Sequence, residues 1–282
     1  MKFLLIGDFH GKIHPKLKKI KDLDFDYVLC TGDLPSDGGL RKYIFKYWNE
    51  LNKKNLEDVI GKKNVNKANK KSSKSLTKVL KFLNSLNKKV FLIRGNFDLE
   101  QKRLIRRKNP IFVYVSKEIK KYKNIELIDY GLIQLKDIKL LAHSGYRFPT
   151  EKYIEKKEYN SHTKLKIKNK NNWWDKRLKR LFSKVKYFNN SIFLIHDPPR
   201  GYLDKVNNKK SPLNHKHIGD EYYFRYIKKY QPLITICGHM HEYQTKVKIG
   251  KTALINPGPA LEGKFAVLET SHNKLKNLKF YK

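Results

Sequence analysis

Aspartate, histidine and asparagine recur in this chain in short clusters, most of them beside a glycine. The clusters are Gly7-Asp8-Phe9-His10, Thr31-Gly32-Asp33, Arg94-Gly95-Asn96-Phe97-Asp98, His196-Asp197-Pro198-Pro199 and Gly238-His239-Met240-His241. Imidazole nitrogens with carboxylate and amide oxygens suit Mn, Fe, Zn or Ni, and no cysteine is placed to complete a structural zinc site. Carboxylates from Asp8 and Asp33 with neutral Asn96, His10, His196, His239 and His241 would leave two divalent ions with surplus positive charge. That surplus attracts a phosphate and stabilises charge added in its transition state. Gly7, Gly32, Gly95 and Gly238 would let backbone come close to such ions.

Each cluster alone has an ordinary reading. Asp-x-His can be a capped turn, Gly-Asp a loop, Asn96 after glycine a turn residue, and a buried His196 a hydrogen-bonded structural residue. Gly-His-x-His is more specific, because two imidazoles so close repel when both are charged. What decides is the joint occurrence, in order, each cluster at the end of an apolar run.

Those runs are Phe3–Ile6, Tyr27–Cys30, Val90–Ile93, Ile192–Ile195 and Leu233–Cys237, with Leu140–Ala142 another. Short apolar stretches bounded by Gly, Asp, His or Pro read as buried strands emptying into loops. Open α/β sheets place their ligands at the carboxyl ends of strands, so the runs would deliver the clusters to one rim. Helix-compatible stretches lie between them. Pro15–Leu23 sets Leu17, Ile20 and Leu23 on one face, and Leu76–Leu86 repeats apolar residues at three- and four-residue spacing. Alternation of strand and helix favours parallel units in the first half. After Gly131, Leu132–Leu141 and Thr252–Leu268 read as hairpin strands, the second turning at Asn256-Pro257-Gly258-Pro259. Lys-rich segments at about 41–74 and 149–186 read as surface helices within one domain spanning 1–282, the second a cap or insertion near the site.

The 282 residues carry 63 Lys and Arg against 26 Asp and Glu, a formal net charge of +37. Such a surface attracts polyanions, nucleic acid included. Lysine-rich stretches such as Lys168–Asn172 also fit a compositional bias that only solvates the surface. Cys30 and Cys237 each end an apolar run and read as small buried hydrophobes in a reducing compartment. The opening Met1–Ile6 reads as a strand rather than a signal segment. No run approaches the ~20 apolar residues of a membrane span. The expectation is a cytoplasmic protein, with its oligomeric state open.

The ordered series resembles the calcineurin-like metallophosphoesterase superfamily, whose motifs run Asp-x-His, Gly-Asp, Gly-Asn-His-Asp/Glu, a lone His and Gly-His-x-His. The matches are Asp8/His10, Gly32/Asp33, Gly95/Asn96, His196 and Gly238/His239/His241, spanning nearly the whole chain. The resemblance implies a four-layer α/β fold, a central β-sandwich of two mixed sheets flanked by helices. It implies a dinuclear site in which Asp8, His10, Asp33 and His241 hold one ion. Asp33 then bridges to a second ion held by Asn96, His196 and His239. Asp33, Asn96 and His196 are the residues it marks as catalytic, and Mn2+ is the first expectation for the metal, with Fe, Zn or Ni open.

One position departs. Where the family usually has a His after Gly-Asn, this chain has Phe97, which removes the group assigned to the leaving group or the substrate phosphate. His14, His143, His215 and His217 are candidate replacements, His143 and His217 foremost. Arg94 could contact phosphate, and Asp98 could orient a ligand or cap a helix.

The implied reaction is hydrolysis of a phosphate ester by a hydroxide shared between two ions roughly 3.5–4 Å apart. Without an acid at position 97 the balance tips toward diesters, whose leaving groups need less protonation. The substrate would be a phosphate-ester small molecule or nucleotide. A metal-dependent nuclease is the second reading, with Trp173-Trp174 and Tyr222-Tyr223 available to stack bases. A binding scaffold that kept the fold and lost catalysis is the third.

Overall fold

The computed structural model describes residues 1–51, 54–98, 115–144, 161–271 and 273–282. Strands β1 (Lys2–Ile6), β2 (Tyr27–Cys30), β3 (Lys89–Leu92) and β4 (Ile125–Leu127) run parallel, and β11 (Phe265–Ser271) and β12 (Lys274–Tyr281) extend the β1 edge antiparallel to each neighbour. The second sheet runs in the order β5 (Tyr130–Leu135), β6 (Ile138–His143), β7 (Ser191–Ile195), β8 (Ile234–Ile236), β10 (Thr252–Asn256), β9 (Thr245–Ile249). Its four inner strands are parallel and its two edges antiparallel, so both sheets are mixed.

Alternation within the strands builds the layers, because successive side chains leave opposite faces of a sheet. Phe3, Leu5, Leu29 and Phe91 from the first sheet meet Leu140, Ala142, Ile192, Leu194, Ile234 and Ile236 from the second. On the outer side of the first sheet, Leu4, Ile6, Val28, Val90 and Leu92 lie under Leu76, Val79, Leu80 and Leu83 of a long helix. On the outer side of the second, Leu141, Phe193, Ile195 and Leu254 lie under Trp174, Leu178, Phe182, Tyr223 and Ile227. The architecture is the expected sandwich of two six-stranded mixed sheets with helices outside.

The Lys-rich 41–74 segment holds α1 (Arg41–Lys46), α2 (Trp48–Leu51), α3 (Leu56–Ile60) and the start of α4 (Lys62–Asn84). Helix α4 buries Val65, Ala68, Leu76, Val79, Leu80 and Leu83, the three- and four-residue spacing that lays one apolar stripe on the sheet. Burying each Val or Leu of this stripe stabilises the fold by roughly 1.5–3 kcal/mol. Truncation at the fully enclosed Leu80 would cost about 2–5 kcal/mol. After α5 (Val115–Glu118), the second Lys-rich segment contributes α6 (Ser161–Phe182), and its residues 149–160 lie outside the described residues. Helix α7 (Glu221–Tyr230) starts where the Asp220 carboxylate accepts the Tyr222 and Tyr223 N–H groups at 2.7 and 3.0 Å.

Two expectations change. Pro15–Asp22 is a 3-10 helix rather than an α-helix, although Leu17 and Ile20 face the core as the spacing predicts. Thr252–Leu268 is not a hairpin: β10 pairs with β8 and β9, while β11 pairs with β1 and β12. The Asn256–Pro259 turn therefore carries the chain from one sheet to the other. Pro257 and Pro259 lack the N–H that a continuing ladder needs, and both edges of β10 are already occupied. Among the described residues no helix is long and apolar enough to cross a membrane, and both cysteines are buried and free.

Candidate metal centre

The five clusters meet at one place because the strands before them are parallel and end side by side. Backbone contacts knit the loops: Asp8 N–H donates to Gly32 O at 2.9 Å, His10 N–H to Asp33 O at 3.0 Å, and Gly238 N–H to His196 O at 2.9 Å. Four of the seven candidate ligands sit in the left-handed backbone region, with φ of 54° at Asp8, 42° at His10, 54° at Asp33 and 67° at His239. Asp and His tolerate that region better than most residues, and such conformations persist where surrounding structure enforces them.

The side chains form two groups, Asp8 with His10 and His241, and Asp33 with His196 and His239; within each, the candidate donor atoms lie within 4.8 Å of one another. In the first, the Nε2 atoms of His10 and His241 are 3.0 Å apart, and His241 Nε2 is 3.6 Å from Asp8 Oδ1. In the second, Asn96 Oδ1 lies 3.0 Å from both His196 Nε2 and His239 Nδ1. Asp33 Oδ2 stands between the groups, 3.6 Å from His10 Nε2 and 3.5 Å from His196 Nε2. Lone pairs from four imidazoles, two carboxylates and one amide thus converge on a shared space. This nitrogen and oxygen set suits divalent transition ions, so the residues present fit a metal centre.

Surrounding bonds aim these donors. His196 Nδ1 is 2.8 Å from Thr31 O; a carbonyl only accepts, so Nδ1 carries its proton and Nε2 points inward. Asp33 Oδ1 accepts the Phe97 N–H at 2.8 Å, which leaves Oδ2 for the shared space. Both Asp8 oxygens accept the His239 N–H at 3.1 Å. The Asn256 amide donates to Met240 O at 3.0 Å and fixes the Gly-His-x-His loop, while Ala260 N–H donates to Gly7 O at 2.8 Å. The sequence pattern marks Asn256 only as a turn residue; its role beneath the metal loop emerges from the fold.

Charge is tightly coupled here. Burial would raise the Asp33 carboxyl, but the His196 charge and hydrogen bonding outweigh it and hold Asp33 well below the carboxylate range. Burial opposes protonation of His196, and the Asp33, Asp8 and Asp197 carboxylates reverse that, raising it to about 10. His239 is pushed down to about 3 by burial and by the His196 charge. Asp98 is pushed up to about 6, by burial first and the Asp33 charge second, although it accepts three backbone N–H groups.

The secondary candidates do not join the cluster. His143 is 1% exposed, 2.9 Å from the Tyr223 hydroxyl through Nδ1, and packed edge-on against Tyr130, Trp174 and Tyr223; it is a core imidazole in this structure. Arg94 turns its Nε to Asp129 Oδ1 at 2.6 Å. His14 caps the 3-10 helix through the Lys16 N–H. His217 keeps its side chain 46% exposed and is held at 2.6 Å by the buried Asp204. Its loop packs beside the Gly-His-x-His segment, with Tyr243 Oη donating to Lys205 O at 3.1 Å. Among the described residues Asp98 makes no hydrogen bond to a candidate ligand's imidazole; it grips the backbone of Asp33, Leu34 and Gly95.

A family model described as metallophosphoesterase, calcineurin superfamily, matches residues 1–280. An uncharacterised protein of Methanocaldococcus jannaschii is 22% identical over 261 residues, 92% of this chain and 88% of its own length. Among solved structures, TT1561 of Thermus thermophilus has a TM-score of 0.58 at 16% identity, covering 99% of this chain and 97% of that one. A dimetal phosphatase from Danio rerio has a TM-score of 0.52 at 12% identity, covering 95% and 92%. Phosphopantetheinyl hydrolase from Mycobacterium tuberculosis has a TM-score of 0.52 at 10% identity, covering 93% and 90%. At such identities the structures attest the fold, and the family match attests the chemistry. With the family model matched along residues 1–280 and its motif series gathered at one rim, the chain belongs to the calcineurin superfamily of metallophosphoesterases and is a metal-dependent phosphoric ester hydrolase.

Proposed function

We propose that the chain hydrolyses phosphate esters at a dinuclear centre, with phosphodiesters favoured over monoesters. Asp8, His10 and His241 hold one ion, Asn96, His196 and His239 hold the other, and Asp33 is shared. The observation that carries this reading is the position of Asp33 Oδ2, 3.6 Å from His10 Nε2 and 3.5 Å from His196 Nε2. When bound, two divalent ions, Mn2+ first among the candidates, supply Lewis acidity to the phosphoryl oxygens and lower the pKa of a water nucleophile.

The protein's own groups do the rest. Thr31 O holds the Nδ1 proton of His196, so Nε2 loses its proton as that ligand is engaged. The Phe97 N–H keeps Asp33 Oδ1 from rotating inward. The Phe97 side chain has no proton to donate, which leaves the departing oxygen to leave unassisted at that position. Good leaving groups, as in aryl diesters, suit such a site better than alkyl monoesters.

Metal content of the purified protein, paired with turnover of aryl mono- and diesters under Mn2+, tests this. Two ions per chain and faster diester cleavage are expected, and Asp33→Asn should lose both metal and turnover. Full activity in that variant, or far faster monoester cleavage, would sink the respective part. The +37 charge favours a nucleic-acid substrate as a second reading; metal-dependent cleavage of single-stranded DNA or RNA, with steeply salt-dependent binding, would promote it.

A further inference from the structure

The position that lost its imidazole has gained a different cation. Phe97 packs its ring against His10 in an edge arrangement, with centroids 5.2 Å apart at 83°. The Arg41 guanidinium lies over the same phenyl ring, Cζ 5.5 Å from the centroid. Among the described residues no carboxylate is within ion-pair distance of that guanidinium.

The segment that carries Arg41 is built rather than loose. Asp37 accepts the Arg41 N–H at 2.8 Å and the Gly39 N–H at 3.0 Å. One step earlier, Ser36 N–H donates to Ser75 Oγ on α4 at 2.8 Å, and an added Cβ at Gly38 would strike the backbone of Ala68. The loop after Asp33 is thus pinned to α4, and the aromatic face fixes where the arginine ends. A guanidinium over an aromatic face keeps its edge N–H groups free to donate.

We infer that Arg41 is a substrate-binding residue: mounted on Phe97 beside His10, its guanidinium takes the phosphoryl oxygens of the ester at the edge of the metal centre. Phe97 is then a shelf rather than a gap, exchanging an imidazole for a guanidinium. This rests on the phosphoesterase reading of the centre and adds the group that holds the substrate there. A planar fork of donors matches phosphate geometry, so lysine at the same place supplies charge without the bidentate fit.

The test compares wild type, Arg41→Ala, Arg41→Lys and Phe97→Leu, each at saturating Mn2+, for metal content, bis(p-nitrophenyl) phosphate kinetics and inhibition by inorganic phosphate. Arg41→Ala should keep the wild-type metal content. Its KM and its inhibition constant for phosphate should each rise about ten- to a hundredfold, the size of a lost hydrogen bond to a charged group, with kcat changing less. Arg41→Lys should recover part of both, and Phe97→Leu should shift both in the same direction by less than Arg41→Ala. Unchanged KM and phosphate inhibition in Arg41→Ala overturns the inference, and so does loss of metal from that variant, which would make the residue structural. Wild type without metal or turnover fails the phosphoesterase reading itself, an outcome separate from a metal-loaded, active wild type whose Arg41→Ala variant is indistinguishable from it.

Discussion

Asp98 and Asp33 hold each other's loops. Asp98 Oδ2 accepts the Asp33 N–H at 2.6 Å and the Gly95 N–H at 2.9 Å, and Oδ1 accepts the Leu34 N–H at 3.1 Å. In return Asp33 Oδ1 accepts the Phe97 N–H at 2.8 Å, from the residue just before Asp98. The Gly-Asp and Gly-Asn-x-Asp motifs are therefore one bonded unit, with the left-handed backbone of Asp33 at its centre.

Asp98→Asn should loosen that unit without emptying it. The amide replaces one acceptor oxygen with a donor that faces a backbone N–H, leaving buried groups unpaired. Groups that position metal ligands typically contribute 10–100-fold to affinity, so about that loss in Mn2+ affinity is expected, with a modest fall in melting temperature. Calorimetric titration of metal into chelator-treated protein measures it; wild-type affinity in the variant would remove Asp98 from the positioning role.

The two ligand groups should be separable. His241→Ala removes a donor from the group with Asp8 and His10 and leaves Asp33, Asn96, His196 and His239 untouched. If the proposed centre holds two ions, mass-spectrometric metal analysis should then fall from about two ions per chain toward one, and turnover should drop by orders of magnitude because both would act on one phosphate. His196→Ala should do more damage, since that imidazole also ties to Thr31 O at 2.8 Å. Two ions retained in His241→Ala would break the assignment of that group.

Much of this was legible because parallel strands buried on both faces read as uninterrupted apolar runs. Tyr27–Cys30 matches β2 end to end, and each motif follows its run directly. His143 follows period two rather than the rim: Leu140 and Ala142 face the other sheet, Leu141 faces the helices, and His143 follows Leu141 outward. Arg41 stayed hidden in a segment that composition marks as solvated lysine surface; only the fold of the loop after Asp33 brings it over Phe97. The mistaken hairpin shows the same limit, because which strand pairs with which is decided by long-range contacts.

Gly95 lies where no side chain fits. A Cβ there would overlap Asp33 Oδ1 and lie 2.6 Å from His196 Cε1. Neither neighbour yields easily, since the Phe97 N–H holds one and Thr31 O the other. Gly95→Ala should cost about 1–3 kcal/mol and displace both candidate ligands, abolishing metal uptake. Gly131→Ala is the control, because its nearest neighbour is Ile128 Cγ2 at 3.7 Å; it should stay within about 0.5 kcal/mol of wild type and keep its metal. Normal metal content in Gly95→Ala would mean the loops shift more freely than these contacts allow.

His143 gives the fold a defined acid sensitivity. Burial, with the Arg177 charge adding to it, lowers this imidazole from 6.5 to about 3. Between those values the unfolded chain binds a proton that the native state refuses, so native stability rises with pH across the window. The contribution is whole above 6.5 and is lost as pH falls toward 3, at up to about 1.4 kcal/mol per pH unit. Urea unfolding of chelator-treated protein from about pH 7 to 4.5 should show that slope, and His143→Gln should flatten it by about one proton while lowering stability at neutral pH. The lowered His239 adds to the slope and the raised Asp98 carboxyl opposes it, so the readout is the difference in slope between the two proteins. Parallel slopes in the two proteins would mean His143 takes up its proton as readily folded as unfolded.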